Sequence, residues 1–457
     1  MKSFLKVGIS GVRGIVGESF TPQLAMSFAR AFGSFVGRGS VVIGRDTRPT
    51  GLMIEYAVVA GLQSVGCKPL LAGIVPTPTL LRLTAEHSAL GAIGITASHN
   101  AAEWNALKFV DRTGLFLGRS RAEELFDIFH QGDFRVVPEH EIPEATRIAD
   151  PTRGHFERVF QYVDTAAIRA LRLKVAVDCC NGVGALHTRG FLEKLGCEVV
   201  TCFDAPNGLF EREPEPLPEN LVTLGQLVRD HGCAIGFAQD PDGDRLAIVD
   251  ATGRPIGEDM TLAFAVQQVL ERHEKGPVAA NLATSSSVRR VAERFGCRYI
   301  RTAVGEINVT EAMVAAGAVV GGEGNGGVIV PAVQPSRDSY VGMAIVLELL
   351  AQTGKSVAQL CDAIPRYCIG KDKIVVRSDR APQILQALRR KYADRKVTLI
   401  DGLHVDLDED RRFLIRASNT EPVIRIVTEA PDEEEAAELL AALKCEILEF
   451  TGGGESA

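Results

Sequence analysis

Asp240-Pro241-Asp242-Gly243-Asp244-Arg245 sets three carboxylates at alternate positions over five residues. An irregular loop with that spacing can turn all three toward one point, and an oxygen-only ligand set selects a hard cation, Mg²⁺ or Ca²⁺. The EF-hand pattern fails here: it needs Gly at its sixth position and Glu at its twelfth, where this chain has Arg245 and Ala251. A solvated Asp-Gly turn is the plain alternative. Three adjacent carboxylates repel one another unless a cation neutralises them, so we read a metal loop. Arg245 adds the positive group expected if a phosphate also ligates the metal.

Three further loops carry reactive or ligand-binding residue types. In Thr96-Ala97-Ser98-His99-Asn100, after the apolar run 92–95, Ser98 is a candidate nucleophile; the same Ser could merely cap a helix. Trp104-Asn105-Ala106-Leu107-Lys108 follows and adds a Lys. Gly321-Gly322-Glu323-Gly324-Asn325-Gly326-Gly327 lets backbone approach a ligand closely, with Glu323 able to accept from sugar hydroxyls; a Gly-rich hairpin turn is the alternative. It lacks the Lys-Ser/Thr ending of a nucleotide-binding loop. Arg416-Ala417-Ser418-Asn419-Thr420-Glu421-Pro422, with Arg425, supplies two planar forks, two hydroxyls and an amide, a set suited to phosphate.

The elements that must carry these loops are legible in outline. Strand, polar loop, helix, Gly-Cys and strand recur near 41–75, 173–203 and 277–304, with Gly66-Cys67, Gly196-Cys197 and Gly296-Cys297 at the joints and a fourth joint at Gly232-Cys233. Glycine supplies the left-handed turn that ends each helix. Each repeat is a βαβ unit, implying parallel sheets covered by helices. The tail differs: short strands near 371–376, 397–400, 403–407, 412–416 and 423–427, with helices over 381–392 and 432–450. The fold expected is α/β: three related mixed α/β sandwich domains (1–150, 151–254, 255–368) plus a smaller α+β C-terminal domain (369–457) around a central cleft. Each chemical loop follows a predicted strand, one per domain, where α/β folds bind ligands. Residues 452–457 are expected to fray.

Composition bounds the function. The 457 residues are 46% hydrophobic and 24% charged, with a net charge of -8, ordinary for a globular protein and poor for a general nucleic-acid or membrane-surface binder. No run of 18 apolar residues exists, and the start lacks a signal-peptide core, so a cytoplasmic protein is expected. Ten cysteines without a Cys-x-x-Cys pair fit a reducing compartment.

In order along nearly the whole chain, these motifs resemble those of the α-D-phosphohexomutase family. Gly11-Val12-Arg13-Gly14, Gly44-Arg45-Asp46-Thr47-Arg48-Pro49, the Ser98 loop, the Asp240–Arg245 loop, Thr302-Ala303-Val304-Gly305-Glu306, Gly322-Glu323 and the Arg416 loop resemble family motifs in that order, with Glu306 where its loop usually ends in Asp. The resemblance implies that Ser98 carries a phosphoryl group. It implies one Mg²⁺ held by Asp240, Asp242, Asp244 and a phosphate oxygen on Ser98. Phosphoserine would give its group to a hexose monophosphate, form a sugar bisphosphate, and take back the other phosphate. Arg245 would neutralise charge, with Arg13, Lys108 and His99 near the reacting oxygen. Glu323, Asn325, Thr302 and Gly305 would meet the sugar, and Arg416, Ser418, Asn419, Thr420 and Arg425 its phosphate. The partner is then a hexose phosphate, with no nucleic acid and no membrane, and the protein a monomer or homodimer.

The sequence departs from the family at Ala101, where Pro is common, at Ala106, and at Asn325 and Gly327, where the sugar loop commonly has Ser and His. The Gly-Glu-Gly-Asn-Gly-Gly form resembles the phosphoglucosamine mutase subgroup, with phosphomannomutase or phosphoglucomutase as the alternative. A serine-dependent sugar phosphatase would need a water-activating site, but the nine histidines are scattered. A non-catalytic sensor would be expected to lack Ser98 or one of the aspartates.

Overall fold

The computed structural model describes residues 5–9, 11–377, 379–418 and 422–452. All four Gly-Cys joints are built alike. Gly66, Gly196, Gly232 and Gly296 have φ of 80°, 82°, 62° and 69°. The following Cys N–H donates back to the carbonyl five residues earlier: Cys67 to Leu62, Cys197 to Leu192, Cys233 to Val228 and Cys297 to Ala292. This is the Schellman closure, which satisfies an orphan helix carbonyl and needs the left-handed glycine. The chain leaves each joint into, or just short of, a strand, and all ten cysteines are free thiols.

Four sheets result. In the first, Ser40–Arg45 lies parallel to Lys68–Ile74 and Gly91–Ile95, while Trp104–Asp111 runs antiparallel to Gly91–Ile95. In the second, Lys174–Asp178 lies parallel to Glu198–Cys202 and Ile235–Gln239, and Leu246–Asp250 reverses against Ile235–Gln239. In the third, Val278–Asn281 lies parallel to Tyr299–Thr302 and Val320–Glu323, and Gly327–Val330 reverses against Val320–Glu323. These are one plan used three times. A central parallel strand is followed by an antiparallel partner, and the connection between the two is, in turn, the serine loop, the metal loop and the Gly-rich loop. The last sheet, Cys368–Val375, Val423–Ala430, Arg412–Ala417, Leu403–Asp406 and Lys396–Thr398, is wholly antiparallel. Its Arg416 loop also joins two antiparallel neighbours.

The tail elements lie within a few residues of their expected places. Lys396–Thr398 stops short of Leu399 and Ile400, which are exposed, and the final helix is Glu433–Gly452. Asp432 is its cap, accepting from the Glu435 N–H at 2.8 Å. Of the residues expected to fray, Gly452 belongs to this helix, and 453–457 lie outside the described residues.

Burial of apolar surface, worth about 25 cal/mol per Å², is shared unevenly. One continuous core runs from Phe156 to Ile364 through the second and third sheets. The first sheet and the last sheet have their own. The helix Ser339–Thr353 is buried on every side from Ser339 to Leu350, as its largely apolar sequence requires, with the buried Glu348 partnered by His273 at 2.7 Å. Among the described residues no helix is long and apolar enough to cross a membrane.

Candidate active site

Ser98 sits in the left-handed region, φ 49°, an unusual conformation for a residue with a Cβ. The turn persists because its surroundings fix it. The Ser98 N–H donates to Thr96 Oγ1 at 3.0 Å. Arg48, fully buried, donates to the carbonyls of Ser98, Asn100 and Ala101 at 2.8, 2.6 and 2.6 Å. Asp46 holds that guanidinium at 3.0 Å, and Phe210 stacks on it with its ring centre 4.8 Å away. The result aims Ser98 Oγ at the metal loop, where it donates to Asp240 Oδ2 at 3.0 Å across 142 residues of sequence.

The metal loop is gripped from both sides. Asp240 Oδ1 accepts from the N–H groups of Asp244 and Arg245, both at 3.1 Å. Asp242 Oδ2 accepts from Lys108 Nζ at 2.8 Å and Thr77 Oγ1 at 2.9 Å. Asp244 Oδ2 accepts from Arg337 Nη2 at 2.6 Å. Asp242 Oδ1 and Asp244 Oδ1 are buried with no hydrogen-bond donor. Each aspartate offers an oxygen within 4.8 Å of the others. Orphaned buried carboxylate oxygens are costly unless something cationic faces them. An all-oxygen set with two such atoms fits a hard divalent cation.

Charge in the site is balanced tightly. Without a metal, burial and then the neighbouring Asp244 and Asp242 push Asp240 well above the usual carboxylate range. Burial also opposes ionisation of Asp242, but Lys108 and its hydrogen bonds outweigh it and hold that group low. Burial works against the Lys108 ammonium too, yet Asp242 and Asp244 raise its pKa, so Lys108 stays charged and is a poor proton acceptor. His99 Nδ1 is 3.4 Å from Ser98 Oγ. Burial, then Arg245, Arg337 and Arg13, lower its pKa to about 2, so the imidazole is neutral. Burial and then Arg245 lower the pKa of Arg13, whose Nη1 donates to Asn100 Oδ1 at 3.3 Å. Arg245 Nη1 pairs with Glu215 at 2.7 Å.

The residues expected to meet a sugar are tied to this centre by Arg337, whose Nη1 donates to Glu323 Oε2 at 2.8 Å. Glu323 Oε1 already accepts from Asn281 Nδ2 at 2.7 Å and the Gly305 N–H at 3.0 Å. Glu323, expected as an open acceptor, is therefore a junction with most of its capacity in use. The Gly-rich stretch is indeed a hairpin turn, and Asn325 Oδ1 closes it by accepting the Gly327 N–H at 3.3 Å. Thr302 Oγ1 donates to the Ala303 carbonyl at 3.0 Å. Arg416 reaches this group through Asp401, which lies 3.3 Å from Arg416 Nε and accepts the Val304 N–H at 3.0 Å. Ser418 N–H donates to the Val423 carbonyl at 2.9 Å. Arg416 and Arg425 stand directly opposite in register. Like charges so placed repel, and Asp401 beside Arg416 offsets part of that repulsion. Asn419 and Thr420 lie outside the described residues.

Ser98, His99, Arg13, Lys108 and the three aspartates thus come together, with Arg245 beside them and Glu323 one guanidinium away. Thr77, Glu215, Arg337 and Asp401 were missed. None lies in a recognisable motif, and only the fold brings them in. Arg48 lay in a quoted motif, but nothing in its spelling says that it holds the serine turn.

Known proteins align with the chain over its length. Family models for phosphoglucomutase/phosphomannomutase match in order: alpha/beta/alpha domain I over 5–136, domain II over 153–253, domain III over 257–367 and the C-terminal domain over 374–444. A phosphoglucomutase/phosphomannomutase of Thermococcus kodakarensis is 38% identical over 442 residues, 95% of this chain and 96% of that one. A probable phosphoglucosamine mutase of Methanopyrus kandleri is 36% identical over 437 residues, 94% of this chain and 95% of that one. The crystal structure of a phosphoglucomutase/phosphomannomutase family protein from Burkholderia thailandensis matches with a TM-score of 0.84 at 26% identity, over 98% of this chain and 99% of that one. With all four domain models in order and relatives this similar over almost the whole chain, the protein belongs to the α-D-phosphohexomutase family and is a phosphoryl-shifting isomerase.

Proposed function

We propose that the protein interconverts hexose 6-phosphate and hexose 1-phosphate through a phosphoserine at Ser98 and a sugar bisphosphate, with one Mg²⁺ and with glucosamine phosphate as the preferred substrate. One observation carries the mechanism: Ser98 Oγ points at a carboxylate trio that keeps two buried oxygens without donors. Asp240, Asp242 and Asp244 would hold the Mg²⁺, which when bound supplies neutralisation of charge on the transferring phosphoryl group.

The chain's own residues do the rest. Arg48 keeps the serine turn in its strained aim. Arg245 and Arg13 offer guanidinium forks to phosphate oxygens near Ser98, and Lys108 holds a fixed charge beside Asp242. Phosphoryl transfer is mostly positioning and electrostatics, which this density of fixed charge serves. Arg416 and Arg425, opposed in register, would hold the sugar's far phosphate, and Glu323 its hydroxyls. A cradle indifferent to which end it receives is what two successive transfers require.

Chelating the divalent cation is expected to abolish turnover, with Mg²⁺ restoring it. Burial and the neighbouring aspartates raise the Asp240 pKa in the metal-free state, so protons compete with Mg²⁺ for this carboxylate. Affinity is therefore expected to tighten from pH 5 to pH 8. Calorimetry at both values checks this, and a flat or inverted trend would contradict the assignment.

The Gly-Glu-Gly-Asn-Gly-Gly loop and the Methanopyrus relative favour glucosamine phosphate; the Thermococcus relative favours a phosphoglucomutase/phosphomannomutase. Comparing kcat/KM for glucosamine 6-phosphate, mannose 6-phosphate and glucose 6-phosphate, with a trace of sugar bisphosphate as primer, decides between them. Glucosamine 6-phosphate is expected to lead, giving the 1-phosphate without inorganic phosphate. Release of inorganic phosphate instead would overturn the mutase reading.

A further inference from the structure

Arg337 is one buried cation shared by three carboxylates. Its Nη2 donates to Asp244 Oδ2 at 2.6 Å and its Nη1 to Glu323 Oε2 at 2.8 Å. Glu306 Oε2 lies 3.3 Å from its Nε, and Glu306 Oε1 accepts the Arg337 N–H at 2.9 Å. The side chain is 9% exposed, and its partners Asp244, Glu323 and Glu306 are 0%, 5% and 10% exposed. A planar guanidinium can serve two carboxylates in fixed directions, which a Lys ammonium cannot.

The route of the side chain matters equally. It crosses Gly327 so closely that a Cβ there would lie 2.3 Å from Arg337 Cδ and 2.8 Å from Cγ. Gly327 opens an ordinary strand and does not have the positive φ of Gly322 and Gly326. Its lack of a side chain is thus explained by the passage of the Arg337 stem, not by backbone conformation.

We infer that Arg337 is a positioning residue for the isomerisation: it turns Asp244 so that Oδ1 faces the cation site, and fixes Glu323 for the sugar, with Gly327 as the opening through which it reaches both. The inference rests on the mutase reading for its sugar half, but its metal half stands without it. Asp244 Oδ2 is occupied by Arg337, while Oδ1 has no hydrogen-bond donor and meets only Arg245 Nε at 4.0 Å. Glu323 keeps its remaining acceptor capacity in one direction because three donors fix the others.

The test uses the full-length protein, with Mg²⁺ and hexose 6-phosphate binding read by calorimetry beside kcat and KM. Arg337→Lys keeps the charge but loses the fork. It is expected to weaken Mg²⁺ about tenfold, the scale seen when a group behind a metal ligand is removed. At saturating Mg²⁺ it is expected to raise KM for the sugar phosphate by a similar factor, with kcat changing less. Gly327→Ala touches neither ligand and should produce the same two losses by displacing the Arg337 stem, and in the double variant the losses should not add. If Arg337→Lys fails to fold, Gly327→Ala alone carries the decision. Binding of both ligands within about twofold of the parent, even with lowered thermal stability, would overturn the inference. The Mg²⁺ measurement involves no sugar. A parent that isomerises no hexose phosphate would therefore defeat the proposed function and still leave Arg337 to be judged on the metal.

Discussion

Ser98→Ala is expected to eliminate hexose phosphate isomerisation, by about 10³-fold or more, while the protein stays folded. The hydroxyl is the proposed acceptor and donor of the phosphoryl group, and no other Ser or Thr oxygen is seen to donate to Asp240 among the described residues. The backbone bond from residue 98 to Thr96 and the three carbonyl bonds to Arg48 survive the substitution. Thermal unfolding should therefore move little. Ser98→Gly should be equally inactive yet more stable than the Ala variant, because glycine adopts φ 49° without strain. Peptide mass spectrometry of the active parent should find phosphate on Ser98, and on neither variant at that position. Full turnover by Ser98→Ala would end the phosphoserine mechanism.

Arg48→Met is expected to destabilise the folded protein strongly. It leaves Asp46 buried without its cation and removes the donor from three carbonyls of the serine turn. Breaking a buried pair by removing one partner costs about 3–5 kcal/mol, and the orphaned carbonyls add to that. Activity should fall with it, since the left-handed turn at Ser98 loses its main support. The deficit should depend on pH. Burial already raises the Asp46 pKa even with Arg48 present. Without Arg48 it rises further, so the folded state holds a proton that the unfolded state releases. Stability retained at acid pH is then lost as pH rises through the folded value. Urea melts at pH 5 and pH 8 check this; a deficit under about 1 kcal/mol at pH 8 would show that the turn does not depend on Arg48.

Much of this site was legible because its chemistry is written in short loops. Asp240 to Arg245 reads as a metal loop from carboxylate spacing alone, and the Gly-Cys joints announce the βαβ units by local backbone physics. The aspartates' partners are another matter. Thr77 and Arg337 come from places 165 and 93 residues away, where nothing local distinguishes a ligand-positioning side chain from a core or surface one; Lys108, 134 residues away, was named, but only the family resemblance placed it near the reacting oxygen. Glu323 shows the same boundary. Its loop proclaims a site, yet its engagement by Asn281, Gly305 and Arg337 follows only from how the strands of the third sheet are ordered. Arg416 and Arg425 could be named from composition, but their opposition depends on strand register, which a one-residue slip would reverse.

The long sequence separations also bear on how the chain is made. Synthesis runs from the N-terminus, and domains generally fold as they emerge. Ser98 and its Arg48 support are released long before Asp240, and the aspartate trio is released before Arg337. For roughly the time needed to add another 93 residues, Asp244 waits without the cation that will hold its Oδ2. A ribosome-bound chain at that stage carries an acidic loop held by Ser98, Thr77, Lys108 and its own backbone but not by Arg337. The early strands are thus present before the chemistry is complete, and a nascent chain that stalls before residue 337 displays an Asp244 that has not yet been set in place.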